Sequence, residues 1–363
     1  MASLRGAVLY EHKKPLKVEE LELPDPGPGH VLVKMMASGV CHSDWHIVKG
    51  EWPSVPLPSV LGHEGAGIVE AIGPGVTTLK RGDHVILSWM PQCGLCEMCV
   101  KGFPQVCNND RRGQVKAKLK GSGKEVFMLA GVGSFGSYSI VSEPTAVAID
   151  KDMPFAQASL IGCGVSTGVG AAINTAQVQP GTTVAVFGAG GVGMSVVQGA
   201  RIAGATQIIS VDMLDNKLQM AKEFGATHTV NSSKEDPVEA IKRLTGGQGV
   251  HYAFEAIGLV EKPFVQTIDA TRHRGMTIWV GHAPEGLNVT ISARAVLYEK
   301  TLIGSMYGST RPHVDFARYV QLYKTGKLKL DEFITKRFTL NQVNDAFDAM
   351  AKGQVARSVL LFE

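Results

Sequence analysis

The sequence feature that most constrains the fold is a glycine-rich turn between an apolar strand and a helix. The segment 183–203 begins with a β-branched apolar run, continues as Gly-Ala-Gly-Gly-Val-Gly and ends in an apolar helical pattern. In this context Gly188 allows a tight turn, Gly190 lets a pyrophosphate approach the backbone, and Gly193 lets helix and strand pack closely. The pattern predicts a dinucleotide-binding turn, whose cofactor-binding residues are Gly188, Gly190, Gly191, Val192 and Gly193.

A second strand, at residues 207–211, ends in Asp212. This is about the 20-residue distance at which such sites place an acid for the ribose hydroxyls. The carboxylate would repel a 2′-phosphate, and neither Met213 nor Leu214 supplies a compensating cation. The sequence therefore favours NAD over NADP. Asp212 also suits a helix cap for residues 215–218, which is compatible with the same role.

Strands and helices alternate after residue 180. The six predicted strands are 183–187, 207–211, 228–230, 250–255, 276–281 and 301–306. Six strands with intervening helices predict an α/β, doubly wound Rossmann domain with a six-stranded parallel sheet. The first third of the chain reads instead as a β-rich unit. The length of 363 residues also exceeds what one hydrophobic core usually holds, so we expect two domains.

Composition narrows the choice of partners. Formal net charge is +3, with 44% hydrophobic and 19% charged residues, as in an ordinary globular protein. This basic excess is too small to indicate nucleic acid or an anionic membrane. We find no apolar leader and no run near the roughly 18 apolar residues of a membrane span. We therefore expect a cytoplasmic protein with no nucleic-acid or membrane partner.

Four of the six cysteines form the motif Cys93-x2-Cys96-x2-Cys99-x7-Cys107. Four thiolates saturate a tetrahedral Zn²⁺, so such a site holds a loop in shape and does no chemistry. An iron–sulfur cluster is the competing interpretation, because ferredoxin motifs begin in the same way. The third interpretation is that these cysteines bind no metal. The motif favours a structural zinc.

The other two cysteines suggest a second, different metal site. Cys41 precedes His42, Ser43 and Asp44, while His63 follows a glycine and Cys163 lies much further along the chain. Two thiolates and one imidazole suit Zn²⁺ with one position left open, as in catalytic sites. Together with the four-cysteine motif, this predicts two zinc ions per chain.

These motifs together carry a family resemblance. The chain contains Gly-Val-Cys-His-Ser-Asp at 39–44, Gly-His-Glu-Gly-Ala-Gly at 62–67 and Gly-Cys-Gly at 162–164, besides the four cysteines and the glycine turn. It resembles the zinc-dependent alcohol dehydrogenases of the medium-chain dehydrogenase/reductase superfamily, nearest the liver-type enzymes, along essentially its whole length. The resemblance implies a GroES-like catalytic domain at 1–164 and 308–363, with a structural-zinc lobe at 91–110, and an NAD-binding Rossmann domain at 165–307.

The resemblance also implies a reaction. Cys41, His63 and Cys163 hold the catalytic zinc, which takes an alcohol oxygen or an aldehyde carbonyl at its open position and makes hydride transfer to NAD feasible. Asp44 orients His63, and Glu64 approaches the metal during ligand exchange.

By the same resemblance, Ser43 relays the proton from the alcohol, and His46 passes it to solvent through the cofactor ribose. A turn hydroxyl and a packing histidine are the simpler interpretations of these two residues.

Further cofactor contacts are implied by position. Arg357 is expected at the pyrophosphate, Lys217 at the adenosine ribose and Val280 at the nicotinamide. His42 stands where many liver-type members carry arginine, and histidine offers a weaker, pH-dependent charge. We expect faster cofactor release than an arginine would give.

The substrate is expected to be a primary alcohol or aldehyde with an aliphatic or aromatic group. The predicted pocket residues are Trp89, Leu129, His282 and Met306. One alternative is a glutathione- or other thiol-dependent formaldehyde dehydrogenase, because Arg111 matches the arginine that binds the thiol's carboxylate in those enzymes. Against it, the loop that follows is shorter than in those enzymes, and Trp89 would crowd a pocket that must admit a bulky adduct. The basic residues of 111–124 suit a surface loop better than an anion site.

A non-catalytic NAD- and zinc-binding redox sensor is the alternative from another class. The full set of ligands, relay and cofactor turn favours an enzyme. The resemblance further implies a homodimer, with the six-stranded sheets of two subunits joined edge to edge; a homotetramer is compatible with the same sequence.

Overall fold

The computed structural model describes residues 2–109 and 115–363, so Arg111 and Arg112 lie outside the described residues. The chain divides into two compact units. One contains Met1–Cys163, Arg311–Gly326 and Leu330–Glu363, and the other contains Gly164–Thr310 and Lys327–Lys329. The C-terminal elements therefore belong to the same unit as the N-terminal third.

The strands of the described residues, numbered in chain order, are β1 (Ala2–Leu9), β2 (Lys17–Leu23), β3 (His30–Val40), β4 (Ser59–Val60), β5 (Glu64–Ile72), β6 (His84–Leu87), β7 (Ala117–Leu119), β8 (Glu125–Met128), β9 (Tyr138–Ser142), β10 (Ala146–Ile149), β11 (Thr183–Phe187), β12 (Gln207–Asp212), β13 (His228–Asn231), β14 (Val250–Glu255), β15 (Thr271–Trp279), β16 (Thr301–Gly304), β17 (Ile334–Thr339) and β18 (Arg357–Leu361).

The α-helices of the same residues are α1 (His42–Lys49), α2 (Glu97–Val100), α3 (Phe155–Leu160), α4 (Ser166–Gly170), α5 (Gly191–Ile202), α6 (Asp215–Phe224), α7 (Pro237–Leu244), α8 (Glu261–Ala270), α9 (Ala293–Val296), α10 (Pro312–Lys324) and α11 (Val343–Ala351). Two π-helical turns, Ile161–Val165 and Ala171–Thr175, follow α3 and α4.

The first unit is built from a barrel and a sheet. Strands β1, β2, β7, β8 and β4 close the barrel, and the sheet runs β10-β6-β5-β3-β18-β17, with β9 also paired to β3. The long strand β3 is central because it pairs antiparallel with both β5 and β18, bringing Gly39 opposite Glu64 and Val40 opposite Ser358. Segments distant in sequence therefore meet at the C-terminal end of β3.

Apolar side chains fill the core of this unit. Leu21, Val60 and Val126 are completely buried in it. Trp45 packs against the same core and stacks on Phe347, with ring centroids 5.3 Å apart and planes inclined by 27°. Trp45, for which the sequence indicates no chemical role, thus anchors α1 to the core.

The second unit confirms the predicted Rossmann domain. Its six strands are all parallel, in the order β13-β12-β11-β14-β15-β16. The order reverses between β11 and β14, and ligands bind outside the carboxyl ends of strands at such a switch point. Residues Gly188 and Glu255 therefore lie where a cofactor is expected.

Strand limits differ modestly from those predicted. Strand β15 begins at Thr271, five residues before the predicted start, and β16 ends at Gly304 instead of 306. Strands β7 and β8 have three and four residues, too short to show the alternation by which a strand is recognised in sequence.

The sequence has no run of about 18 consecutive apolar residues, but the helical segment Phe155–Thr175, with a mean hydropathy of 1.3, is long and apolar enough to cross a membrane by length and composition. However, 89% of its most apolar window is buried inside the structure, which is the usual property of a core helix.

Candidate functional site

The predicted catalytic ligands come from three separate elements of the first unit. Cys41 directly follows β3 and precedes α1, and His63 directly precedes β5. The antiparallel pairing of these strands sets Gly39 opposite Glu64, so the two ligands stand side by side. Cys163 lies in the π-helical turn Ile161–Val165. Such single wide turns are frequent at functional sites because they re-aim a side chain.

Donor atoms converge at this point. The sulfur atoms of Cys41 and Cys163, the imidazole of His63 and the carboxylate of Glu64 each offer a donor atom, and these atoms all lie within 4.8 Å of one another. All four residues are buried. The structure therefore brings together the three predicted ligands and adds a carboxylate beside them.

Asp44 fixes the imidazole of His63. Its buried carboxylate accepts from the N–H of Gly62 at 2.9 Å, and the same oxygen lies 3.2 Å from His63 Nδ1. A carboxylate only accepts, so Nδ1 carries the hydrogen and Nε2 presents a lone pair. Nε2 is buried and has no hydrogen-bond partner among the described residues. A metal ion bound at Nε2 would satisfy this atom, so the residues fit zinc.

The charge balance around Cys41 favours metal binding as well. The neighbouring Cys163 thiol lowers the pKa of Cys41 well below its ordinary value, and the charge of Arg357 lowers it further. The thiolate is the form that binds metals.

Glu64 and Arg357 form a buried ion pair beside these ligands. The Arg357 guanidinium donates to the Glu64 carboxylate in a very short contact, and both side chains are almost completely buried. Gly39 leaves room for that carboxylate, because a Cβ at this position would clash with Glu64 Oε2. Burial raises the pKa of Glu64 to about 7, although Arg357 opposes the shift. Arg357, predicted at the pyrophosphate, is engaged with Glu64 here, and the pyrophosphate contact stays a prediction.

Both predicted relay residues lie on α1. Ser43 is half-buried and His46 is 5% exposed. They are three residues apart, so they occupy neighbouring positions on one face of the helix. The Nδ1 atom of His46 contacts the Glu51 carboxylate, and the Trp52 ring stacks on the imidazole. His42, the first residue of α1, is exposed.

The four-cysteine motif also has the geometry of a metal site. The sulfur atoms of Cys93 and Cys99 are 3.9 Å apart, and those of Cys96 and Cys107 are 3.8 Å apart. Thiolates bound at about 2.3 Å around a tetrahedral zinc are separated by about 3.8 Å. Backbone N–H groups of residues 95 and 96 lower the pKa of Cys93 to about 6. These residues fit a zinc ion with no open position.

The cofactor turn in the second unit has the predicted form. Gly188 has φ +97°, which favours glycine, and a Cβ on Gly193 would clash with the Gly188 carbonyl oxygen. Asp212 ends β12, and its carboxylate accepts from the N–H of Ala189 at 2.8 Å and from that of Leu214 at 3.0 Å. Asp212 therefore shapes the turn and presents a charge at the end of its strand.

A buried carboxylate that sequence reasoning missed lies beside this turn. Glu255 ends β14 with no exposed surface, and one of its oxygens accepts from the N–H groups of Ile257 and Gly258 at 2.8 and 2.9 Å. Its backbone carbonyl accepts from Val280 and Gly281 at 2.9 and 3.0 Å. Glu255 thus joins the loops that follow β14 and β15, and it fixes the predicted nicotinamide contact Val280. The signal available in the sequence was an acidic residue at the end of an apolar strand.

The remaining predicted residues are distributed over both units. In the first unit, Leu129 is half-buried, and Trp89 meets His63 edge to face with ring centroids 6.4 Å apart. In the second unit, Lys217 is half-buried on α6, while His282 and Met306 are exposed. Arg111 lies outside the described residues. Of the basic loop, Lys116 and Lys120 pair with Glu125 and Glu20, as surface residues do.

Comparisons with known proteins agree with this geometry. Residues 27–151 match the family model described as alcohol dehydrogenase GroES-like domain, and residues 191–325 match that of zinc-binding dehydrogenase. The chain is 38% identical to an alcohol dehydrogenase class-3 of Dictyostelium discoideum, over 98% of this chain and 97% of the relative.

Two solved structures have the same fold over the whole chain. One is an alcohol dehydrogenase zinc-binding domain protein from Burkholderia ambifaria, with 36% identity, a TM-score of 0.93 and coverage of 100% and 99% of the two chains. The other is a benzyl alcohol dehydrogenase from Acinetobacter calcoaceticus, with 34% identity, a TM-score of 0.92 and full coverage of both chains. With its GroES-like and Rossmann units, the chain belongs to the zinc-dependent alcohol dehydrogenases of the medium-chain dehydrogenase/reductase superfamily and is an oxidoreductase that uses a nicotinamide cofactor.

Proposed function

We propose that this enzyme interconverts primary alcohols and aldehydes, with NAD as the hydride carrier and an apolar or aromatic substituent on the substrate. The main support is the indole of Trp89, which stands edge to face against the metal-binding imidazole of His63 at 6.4 Å. An aromatic ring so close to the reacting centre provides apolar surface for the substituent of the substrate. The similarity to a benzyl alcohol dehydrogenase points the same way.

Cys41, His63 and Cys163 would hold the catalytic zinc, and Cys93, Cys96, Cys99 and Cys107 would hold a second, structural zinc. The catalytic ion supplies Lewis acidity, which lowers the pKa of a bound alcohol so that the hydroxyl proton leaves near neutral pH. Bound NAD supplies the acceptor for the hydride.

The chain's own residues manage the proton and the cofactor. Asp44 keeps His63 in the tautomer whose Nε2 can bind metal. Ser43 accepts the hydroxyl proton of the alcohol while its own passes on toward His46, because a hydroxyl both donates and accepts. We place Lys217 and Asp212 at the adenosine ribose, His42 and Arg357 at the pyrophosphate and Val280 at the nicotinamide. Glu64, paired with Arg357, would approach the metal during ligand exchange.

NAD is preferred over NADP in this proposal because Asp212 ends β12 with a carboxylate, followed by the exposed Met213 and Leu214. A 2′-phosphate would meet a negative charge there without an adjacent cation in these two residues.

The test is a substrate panel. The zinc-loaded enzyme is assayed for NADH formation with benzyl alcohol, short aliphatic alcohols and formaldehyde, the last with and without glutathione. Turnover of benzyl alcohol without thiol supports the proposal. Activity only with formaldehyde and thiol would favour the thiol-adduct reaction, and no turnover with any member would favour a binding role instead.

We also infer a homodimer formed through β16. This strand is at the edge of the six-stranded sheet and carries the 39% exposed Ile303, and it is preceded by Leu297 and Tyr298, which are 72% and 44% exposed. An unpaired edge with apolar neighbours suits pairing with a second copy. Light scattering of wild-type and Ile303→Lys enzyme tests this, since the substitution should weaken a dimer and leave a monomer unaffected. The cytoplasmic location stays a prediction.

A further inference from the structure

An acidic side chain meets the buried relay histidine just beyond the end of α1. His46 is 5% exposed, and its Nδ1 contacts the carboxylate of Glu51. The contact is supported by the backbone, because the N–H of Glu51 donates to the His46 carbonyl at 2.9 Å. The side chain and the main chain of Glu51 therefore both hold the histidine.

Neighbouring groups fix this pair further. The ring of Trp52 stacks on the imidazole at 5.0 Å with planes inclined by 26°. Lys49 Nζ donates to the other Glu51 oxygen at 2.7 Å, and His12, facing this end of α1, bonds to the Ile47 carbonyl at 2.8 Å. The Glu51 side chain is 29% exposed, so it connects a buried imidazole with solvent.

We propose that Glu51 is a positioning residue of the proton relay, which holds His46 with Nε2 as the proton-accepting nitrogen and balances the charge of its imidazolium. This inference rests on the proposed relay role of His46. An ionised carboxylate only accepts, so Nδ1 must carry the hydrogen in the neutral ring. The lone pair is then on Nε2.

The proton balance of the step follows from this arrangement. During alcohol oxidation Nε2 forms a bond to the incoming proton, and the ring becomes an imidazolium with hydrogens on both nitrogens. The negative charge of Glu51 stabilises that cation, as a carboxylate does for the histidine of other acid–base pairs. The ring returns to its starting tautomer when the proton on Nε2 leaves to water.

The first test is the pH profile of alcohol oxidation by Glu51→Gln, which keeps the shape and an acceptor oxygen but removes the charge. Without the carboxylate the imidazolium is less stable, so the acidic limb of the kcat/KM profile should move toward lower pH by about one unit. At the plateau kcat should fall roughly tenfold, part of what a positioned acid–base group contributes. Glu51→Asp retains the charge and should lie nearer to wild type.

Two comparisons separate positioning from a general effect of charge. In a His46→Gln background the further change Glu51→Gln should leave the profile unmoved, because the proposed effect acts through His46. Glu125→Gln, which removes a carboxylate paired with Lys116 on the barrel, should not move it in either background. An unshifted profile in Glu51→Gln, or an equal shift without His46, would overturn the proposal.

A second measurement does not depend on turnover. In ¹⁵N-histidine-labelled, zinc-loaded enzyme, the His46 signals are those lost in His46→Gln, and they should show hydrogen on Nδ1 in the neutral ring. Glu51→Ala should lose this preference. A wild-type ring protonated at Nε2 would refute the assignment, and melting temperatures of all variants show whether they fold. If the enzyme were inactive toward every alcohol, the NMR measurement could still be made. That inactivity would count against the proposed function and not against the position of His46.

Discussion

One oxygen of Asp44 lies 3.2 Å from Nδ1 of His63 and also accepts a backbone hydrogen bond, so the orientation of the proposed metal-binding ring depends on a single buried carboxylate. We expect Asp44→Asn, which keeps an acceptor oxygen but loses the charge, to weaken zinc binding roughly 10- to 100-fold. Competition with a chelator, followed as zinc release, measures this. Asp83→Asn, which removes a surface pairing with Lys80, is the matched control and should release zinc like wild type. Equal release from both variants would contradict the role of Asp44.

The two proposed zinc sites should respond differently to loss of a ligand. Cys41→Ser should abolish turnover and leave most of the fold, because this is the site proposed to perform the chemistry. Cys96→Ser should first lower the melting temperature and solubility, because its site shapes a loop. Elemental analysis should find about two zinc ions in wild type and about one in each variant. Equal loss of activity with unchanged stability in both would count against the division of roles.

Asp212 should determine the choice between the two nicotinamide cofactors. Asp212→Asn preserves an acceptor for the N–H of Ala189 and removes the charge. The ratio of kcat/KM for NAD to that for NADP should fall roughly tenfold, corresponding to about 1.4 kcal/mol. If kcat/KM fell equally with NAD and with NADP, Asp212 would only shape the turn.

Replacement of His42 by arginine tests the cofactor-release hypothesis. The exposed imidazole begins α1, and arginine would place a permanent charge at the same position. If residue 42 contacts the pyrophosphate, His42→Arg should bind NADH several-fold more tightly and release it more slowly. Stopped-flow fluorescence measures both quantities. Unchanged NADH affinity would end this hypothesis.

Glu255 should make the second unit's stability depend on pH. Burial raises the pKa of its carboxyl from 4.5 to about 7, against the hydrogen bonds from the loop. The native chain therefore keeps this proton at pH values where the unfolded chain has lost it. The free energy of unfolding falls as the pH rises from about 4.5 to about 7, by up to about 3 kcal/mol.

Glu255→Gln cannot titrate, so this part of the pH dependence should be absent from it. Urea unfolding of both proteins across this pH range measures the difference, with Glu239→Gln, at an exposed position of α7, as the control. If the free energies of unfolding of wild type and Glu255→Gln changed in parallel from acid to neutral pH, Glu255 would have an ordinary pKa.

Local patterns explain most of what sequence alone predicted. The glycine turn with Asp212, and the four cysteines, are short motifs whose residues meet because they are close in the chain. The convergence of Cys41, His63 and Cys163 was expected from the metal-binding chemistry of their side chains and from the family resemblance, since no local rule brings them together.

Other features depend on strand pairing between distant segments. Arg357 meets Glu64, 293 residues earlier, because β18 and β5 both pair with β3. The contact of Glu51 with His46 depends on the direction in which the chain continues after α1. The one indication of that direction in the sequence is Gly50, which ends this helix. The π-helical turn around Cys163 has no recognised sequence signal. These contacts are properties of the folded chain rather than of any motif.

The two proposed zinc sites also differ in when they can form during synthesis. All four cysteines of the lobe lie between residues 93 and 107, so a nascent chain can capture an ion there as soon as this segment emerges. The other site needs residues 41 and 163, which are joined only after roughly 120 residues have been ordered into strands and helices. An enzyme made under zinc limitation should therefore accumulate with its lobe occupied and its reaction centre still unfilled.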